Sequence, residues 1–149
     1  MQIVRYDPRK DKQGLIDLAK SFADRSYEAF NEALFTKEIE GRVMDLKLRN
    51  SIILAKEGDK VIGAGMFSLF NDIWGNQHCM VYQVMTYKED AFKKGIEDSV
   101  LKEMFKYLKN TMNVDKIGLY CLDSDSQYRS VLMKLNIEKS KFIFYEHKL

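Results

Sequence analysis

Between Ser51 and Leu122 the apolar residues change their spacing twice, from alternating to helical and back. Ser51–Lys56 (SIILAK) and Lys60–Phe70 (KVIGAGMFSLF) are strand-like runs, and Glu57-Gly58-Asp59 between them holds a glycine able to take a positive φ. That combination predicts a hairpin. Asn71–Asn76 (NDIWGN) reads as a second turn and Gln77–Tyr87 (QHCMVYQVMTY) as a long strand, so three antiparallel strands follow one another. From Asp90 the helical period takes over. Ile96, Val100, Leu101, Met104, Phe105, Leu108 and Met112 share one face, with Glu97, Asp98, Lys102, Glu103, Lys106 and Lys109 opposite. Lys116–Leu122 (KIGLYCL) then reads as a short strand, buried on both faces beside a parallel neighbour.

The flanks complete the pattern. Gln2–Tyr6 is a short strand closed by Asp7-Pro8, because proline holds the residue before it extended. Leu15, Ile16, Leu18, Ala19, Phe22 and Ala23 mark a helix, and Thr36 is a plausible N-cap for a second one carrying Ile39, Val43 and Leu46. Asp123-Ser124-Asp125 supplies capping side chains to a last helix with Tyr128, Val131, Leu132 and Leu135, and Phe142–Glu146 (FIFYE) reads as a closing strand. The resulting order, β-α-α-β-β-β-α-β-α-β, is an α/β (α+β) arrangement with a mixed, mostly antiparallel sheet and helices on both faces. The 149 residues suit a single domain, 1–149.

Composition excludes several functions. Twenty-four Lys and Arg stand against 22 Asp and Glu, a net charge of +2 that argues against a dedicated nucleic-acid binder. Cys79 and Cys121 form no CxxC pair and sit in apolar runs, where they are expected to pack as small hydrophobes in a reducing compartment. His78 and His147 lack metal-ligand spacing, so no metal is expected. Neither an apolar leader nor a run near the ~20 residues needed to span a bilayer is present, and a cytoplasmic protein without a membrane partner is expected.

The junction after Tyr87 carries the chemistry. A strand, a loop bearing Gly95, a long helix and a parallel strand aim the helix N-terminus at the carboxyl edge of the sheet. Unpaired amides and the helix dipole favour an anion there. Lys88, Lys93 and Lys94 flank the loop, and Gly95 has no side chain to block a diphosphate.

In this order of elements the chain resembles the GCN5-related N-acetyltransferase superfamily. Its central strand is followed by a Gln/Arg-x-x-Gly-x-Gly/Ala segment whose amides hold the pyrophosphate of acetyl-CoA. The matching stretch is Phe92-Lys93-Lys94-Gly95-Ile96-Glu97, which keeps the middle glycine and places a carboxylate where a small residue is usual. The resemblance implies a fold of that family and acetyl-CoA as acyl donor, with Lys93, Lys94, Gly95 and Ile96 around the diphosphate. It also implies that Met85 and Tyr87 pair with the pantetheine arm across from Tyr120–Leu122. Amine attack on a thioester needs a route for the amine's proton and a donor for the departing thiolate. For the first, Gln83, His78, Asp72 and Glu89 are candidates. For the second, the family's tyrosine aligns with Leu132, which leaves Tyr128, one turn earlier, as either that group or a packing aromatic.

Three readings stand at this point. One is an N-acetyltransferase acting on a primary amine of a small molecule or peptide. Another is a binding or interaction module of the same fold without transfer chemistry. The last is a sensory domain with Phe142, Phe144 and Tyr145 lining an apolar ligand site. The segment from Ile137 to Leu149 has room for about one strand, given a usual strand of ~5–6 residues, so the sheet edge is expected to pair with a second copy of the chain. Light scattering at high micromolar concentration is expected to give the mass of a homodimer; the mass of one chain would refute it.

Overall fold

The computed structural model describes residues 1–149. In chain order its elements are β1 (Gln2–Arg5), α1 (Lys12–Arg25), α2 (Glu32–Met44), β2 (Ile52–Glu57), β3 (Lys60–Asn71), β4 (Gln77–Val81), β5 (Met85–Thr86), α3 (Ile96–Asn110), β6 (Ile117–Leu119) and α4 (Ser126–Lys134). The strands form one open six-stranded sheet in the order β1-β2-β3-β4-β6, with β5 also on β3. Every pairing is antiparallel except β4 with β6. β3 is the spine: β2 runs along one edge, while β4 and β5 lie end to end along the other.

Strand alternation sorts the apolar side chains into two layers. Ile53, Ala55, Ile62 and Phe67 pack with Ile96, Val100, Leu101 and Met104 of α3 and with Tyr128 of α4. Ile52, Leu54, Val61 and Ala64 pack with Leu15, Ile16 and Leu18 of α1 and Ile39 of α2. The helices thus cover both faces, as the spacing predicts. The approach of α3 depends on missing side chains in β3: a Cβ on Gly65 would stand 2.6 Å from Val100 Cγ1 and 3.0 Å from Met104 Cε. Two buried cations tie the other layer down. Arg42 of α2 donates to Ser51 Oγ at 2.9 Å, Ser68 Oγ at 2.6 Å and the Phe67 carbonyl. Lys56 meets Asp11, at the start of α1, at 2.6 Å.

Several sequence expectations change. α2 begins at Glu32 under the cap of Asn31, whose Oδ1 accepts from Leu34 N at 3.1 Å, rather than at Thr36. Leu46 lies beyond its end and is exposed. α3 begins at Ile96, because Gly95 stands in the left-handed region (φ 67°) and the residues from Asp90 form turns instead. β6 is half-buried because it lies at the sheet edge. The expected closing strand is absent: Phe142–Glu146 pairs with no strand, and Phe142, Ile143, Phe144 and Tyr145 are 73–85% exposed. No helix is long and apolar enough to cross a membrane.

Gly65→Ala is expected to destabilise the fold by about 1–3 kcal/mol, the usual effect of forcing a methyl into a packed contact. Gly41→Ala, at a helical position with nothing within 4 Å, is expected to stabilise by roughly 0.5–1 kcal/mol. Urea unfolding of the two variants tests both signs.

Candidate active site

The site starts from one extra residue. β3 positions Phe67 and Ala64 face Val81 and Met85, so the strand containing Gln77–Tyr87 has one residue more than β3 over the same span. The excess forms a bulge at Tyr82–Val84, where only Tyr82 N keeps the ladder by donating to the Met66 carbonyl at 3.0 Å. The long strand read from sequence is therefore two strands with a kink between them. β6 runs parallel to β4 only as far as the kink, where Tyr120 N donates to the Val81 carbonyl at 3.0 Å. Beyond it β5 follows β3 and the chain after β6 does not, so the sheet splits.

Side chains span the split. Gln83 Oε1 accepts from Leu122 N at 3.2 Å, and its Nε2 donates to Asp125 Oδ2 at 2.6 Å. The other oxygen of Asp125 caps α4 by accepting from Tyr128 N at 2.9 Å, the role its position before the helix suggests. Val84 N, freed by the bulge, donates to the Tyr128 hydroxyl oxygen at 3.3 Å. The Tyr128 proton goes to no protein acceptor. Burial, then the charges nearby, pushes the Tyr128 pKa far up, so the phenol stays neutral. Tyr82 and Tyr120 stack across the opening, with centroids 5.4 Å apart and planes 20° off parallel.

On the α3 side of the split lies the loop preceding α3. Lys93 N donates to the Asp90 carbonyl at 3.3 Å, whereas the amides of Lys94, Gly95 and Ile96 have no protein acceptor. Three successive free amides, the middle one left-handed, make an anion-binding concavity at a helix start. Glu97 does not face it as the motif comparison suggests. Its side chain turns inward, the residue is 2% exposed, and Oε1 accepts from Phe92 N at 2.9 Å. Phe92 is itself left-handed (φ 61°), so the carboxylate holds a strained loop in shape. Burial is the main cause of a raised Glu97 pKa. Lys94 Nζ pairs with Asp90 at 2.9 Å and Glu57 at 3.0 Å, leaving Lys93 the freer cation.

On the α1 side the split opens into a cleft of about 570 Å³, walled chiefly by Phe22, Met66, Tyr82, Met85, Tyr120 and Phe144. The remaining sequence candidates scatter. Met85 lines this cleft with its backbone on β3, and the Tyr87 carbonyl accepts the Asp90 and Ala91 amides. His78 and Asp72 form an exposed pair at 2.7 Å in the β3–β4 turn, at the far end of β4 from the bulge, where the hydrogen bond from His78 lowers the Asp72 pKa. Glu89 is exposed beyond β5, and Trp74 is exposed at the turn. Cys79 is buried, which pushes its thiol up to about 11. Two carboxylates of the cleft, Glu28 and Glu146, escaped the sequence reading because nothing in their local pattern marks them.

No protein-family model matches the chain, and a search of curated proteins finds no match. Solved structures do match. A ribosomal-protein-alanine N-acetyltransferase from Brucella melitensis biovar Abortus 2308 superposes with TM-score 0.73 at 12% identity, covering 100% of both chains. An aminoglycoside antibiotic 6'-N-acetyltransferase from Acinetobacter haemolyticus gives 0.75 at 11%, covering 100% of this chain and 99% of that one. A transcriptional regulator from Bacillus halodurans C-125 gives 0.74 at 15%, covering 99% of each. At such identities the likeness establishes the fold, that of the GCN5-related N-acetyltransferases, with its mixed sheet and four helices.

Glu97→Gln keeps the acceptor for Phe92 N and removes the titration. A carboxyl whose pKa is raised by folding contributes full stability below its unfolded value, and that contribution is lost as pH rises through the folded one. Unfolding free energies of the two proteins are therefore expected to shift in favour of the Gln variant as pH rises from the ordinary carboxyl range. A pH-independent difference would show that Glu97 is not desolvated.

Proposed function

We propose that this protein transfers an acetyl group from acetyl-CoA to a primary amine by direct attack in a ternary complex. Three features in one fold carry the reading: free amides at Lys94–Ile96, the split between β5 and β6 with Tyr128 beside it, and the apolar cleft. The residues fit the donor. The amide concavity suits a diphosphate, with Lys93 free to add charge, and the split is where an extended arm can thread the sheet. Bound acetyl-CoA would supply the acetyl group as a thioester, whose C–S bond breaks as the amine nitrogen forms the new C–N bond. With its pKa raised by burial, Tyr128 stays a neutral phenol, a hydrogen-bond donor. It serves by donating a hydrogen bond to the developing negative charge, and the thiolate then takes its proton from water. Gln83 acts as the bridge that sets the width of the split.

A second reading is a binding module of the same fold. It is favoured by that bridge, since Gln83 occupies the Leu122 amide that a threaded arm would otherwise meet. Thermal melting with acetyl-CoA separates the two. A ligand at a hundred times its Kd stabilises by about 2.7 kcal/mol, so the midpoint is expected to rise visibly at millimolar acetyl-CoA. An unmoved midpoint with acetyl-CoA, CoA and longer acyl-CoA leaves the module reading.

For Tyr128→Phe, which retains the buried ring, loss of one hydrogen-bond donor at the reacting centre is expected to lower turnover about 100-fold. Stopped assays of CoA release on the two proteins measure it, and equal rates would remove Tyr128 from the mechanism. Reversing the charge at Lys93 and Lys94 together is expected to weaken CoA binding in calorimetry; unchanged affinity would place the phosphate site elsewhere.

A further inference from the structure

The walls of the cleft carry information about the acceptor. Most of them are hydrocarbon or aromatic ring, and the charged residues that reach it are Glu28, in the loop after α1, and Glu146, in the C-terminal segment. No lysine, arginine or histidine lines it. Arg25 of α1 is not among the lining residues, though close to them: it donates to Thr86 Oγ1 at 3.3 Å and lies over the ring of Phe22, a wall of the cleft, at 5.1 Å. Tyr82 and Tyr120 are 41% and 44% exposed, so their stacked pair presents ring surface to the opening.

We infer that the cleft takes an apolar amine with one positive charge and no negative one, its hydrocarbon part on Met66, Met85, Tyr82 and Tyr120 and its ammonium at the acidic rim of Glu28 and Glu146. The assignment rests on the transfer reading for the fate of that amine, though its binding does not. Three features of the cleft select this class. Carboxylates attract an ammonium, and aromatic faces add a cation–π contribution. A substrate carboxylate would face two like charges with no cation among the lining residues, which disfavours free amino acids. A sugar or polyamine would leave hydroxyl or ammonium groups against walls that offer few hydrogen-bond partners, and burying such groups unpaired is costly. Attack requires the nitrogen to lose its proton and swing from the rim to the split beside Tyr128; Glu28 and Glu146, open to solvent, can pass that proton to water.

Calorimetry with 2-phenylethylamine, phenylalanine, 2-phenylethanol, spermidine and kanamycin tests this on the intact chain, alongside CoA release from acetyl-CoA with each amine. 2-Phenylethylamine is expected to bind at least 10-fold more tightly than phenylalanine, which differs by its carboxylate, and more tightly than the other three compounds. Exposed ion pairs contribute modestly, so the double variant Glu28→Gln/Glu146→Gln is expected to weaken 2-phenylethylamine roughly 5-fold while 2-phenylethanol binds as before. Both positions are exposed, and an unchanged melting midpoint of the double variant confirms its folding. Equal affinity for phenylalanine, tighter binding of spermidine or kanamycin, or indifference of 2-phenylethylamine to the double substitution overturns the assignment. So does competition in which hexanoyl-CoA, and not acetyl-CoA, displaces 2-phenylethylamine, because the cleft would then belong to the acyl chain. Binding of 2-phenylethylamine without CoA release for any amine leaves the assignment standing and sinks the transfer reading.

Discussion

The short parallel ladder between β4 and β6 governs what the rest of the molecule can do. Its three registers end at Val81–Leu119, and one further hydrogen bond closes it. A parallel pair would ordinarily continue until one strand stops, but the bulge at Tyr82–Val84 turns β5 onto β3 and away from its neighbour. The sheet therefore opens beside its edge strand β6. Backbone groups released by the kink are the ones satisfied by side chains, Val84 by Tyr128 and Leu122 by Gln83, so the opening is held rather than merely left.

Keeping such an opening requires that everything around it be immobile. β3 continues past the bulge with a partner on each edge for most of its length, and α3 is pressed onto it at Gly63 and Gly65. On the other face Arg42 satisfies three acceptors on Ser51, Phe67 and Ser68, and Lys56 and Asp11 form a buried pair. Such a pair adds little net stability, yet losing either partner strands a buried charge, so it fixes where α1 begins. Rigid layers on both faces make the split a built feature, with the amide concavity on one side and the apolar cleft on the other.

Much of this was legible from residue spacing. The hairpin at Glu57–Asp59 and the capping role of Asp125 follow from local chemistry, and the structure agrees with both; the apolar face of α3 agrees at Ile96, Val100, Leu101, Met104 and Leu108, while Glu97 and Tyr107 join it in the buried layer. The start of α2 was missed because Asn31–Phe35 lacks apolar period, although Asn31 is itself a good cap. Phe142–Glu146 has every local mark of a strand, but strand formation needs an edge within reach, and none of the sheet takes it. Glu97 shows the same limit. As a letter in a motif it looks like an obstacle to phosphate; in the fold it turns under the loop and braces Phe92.

The amino-acid order alone determined most of the strands and helices, and that a glycine-bearing helix start follows the central strand, because propensity, capping and apolar period act over a few residues. Tertiary structure decided where the bulge falls, which way Glu97 points, that Gln83 bridges two separated chain segments, and that Glu28 and Glu146 line one cleft. Those outcomes depend on counting residues between two paired strands and on packing between elements far apart in sequence. No local pattern records such distances.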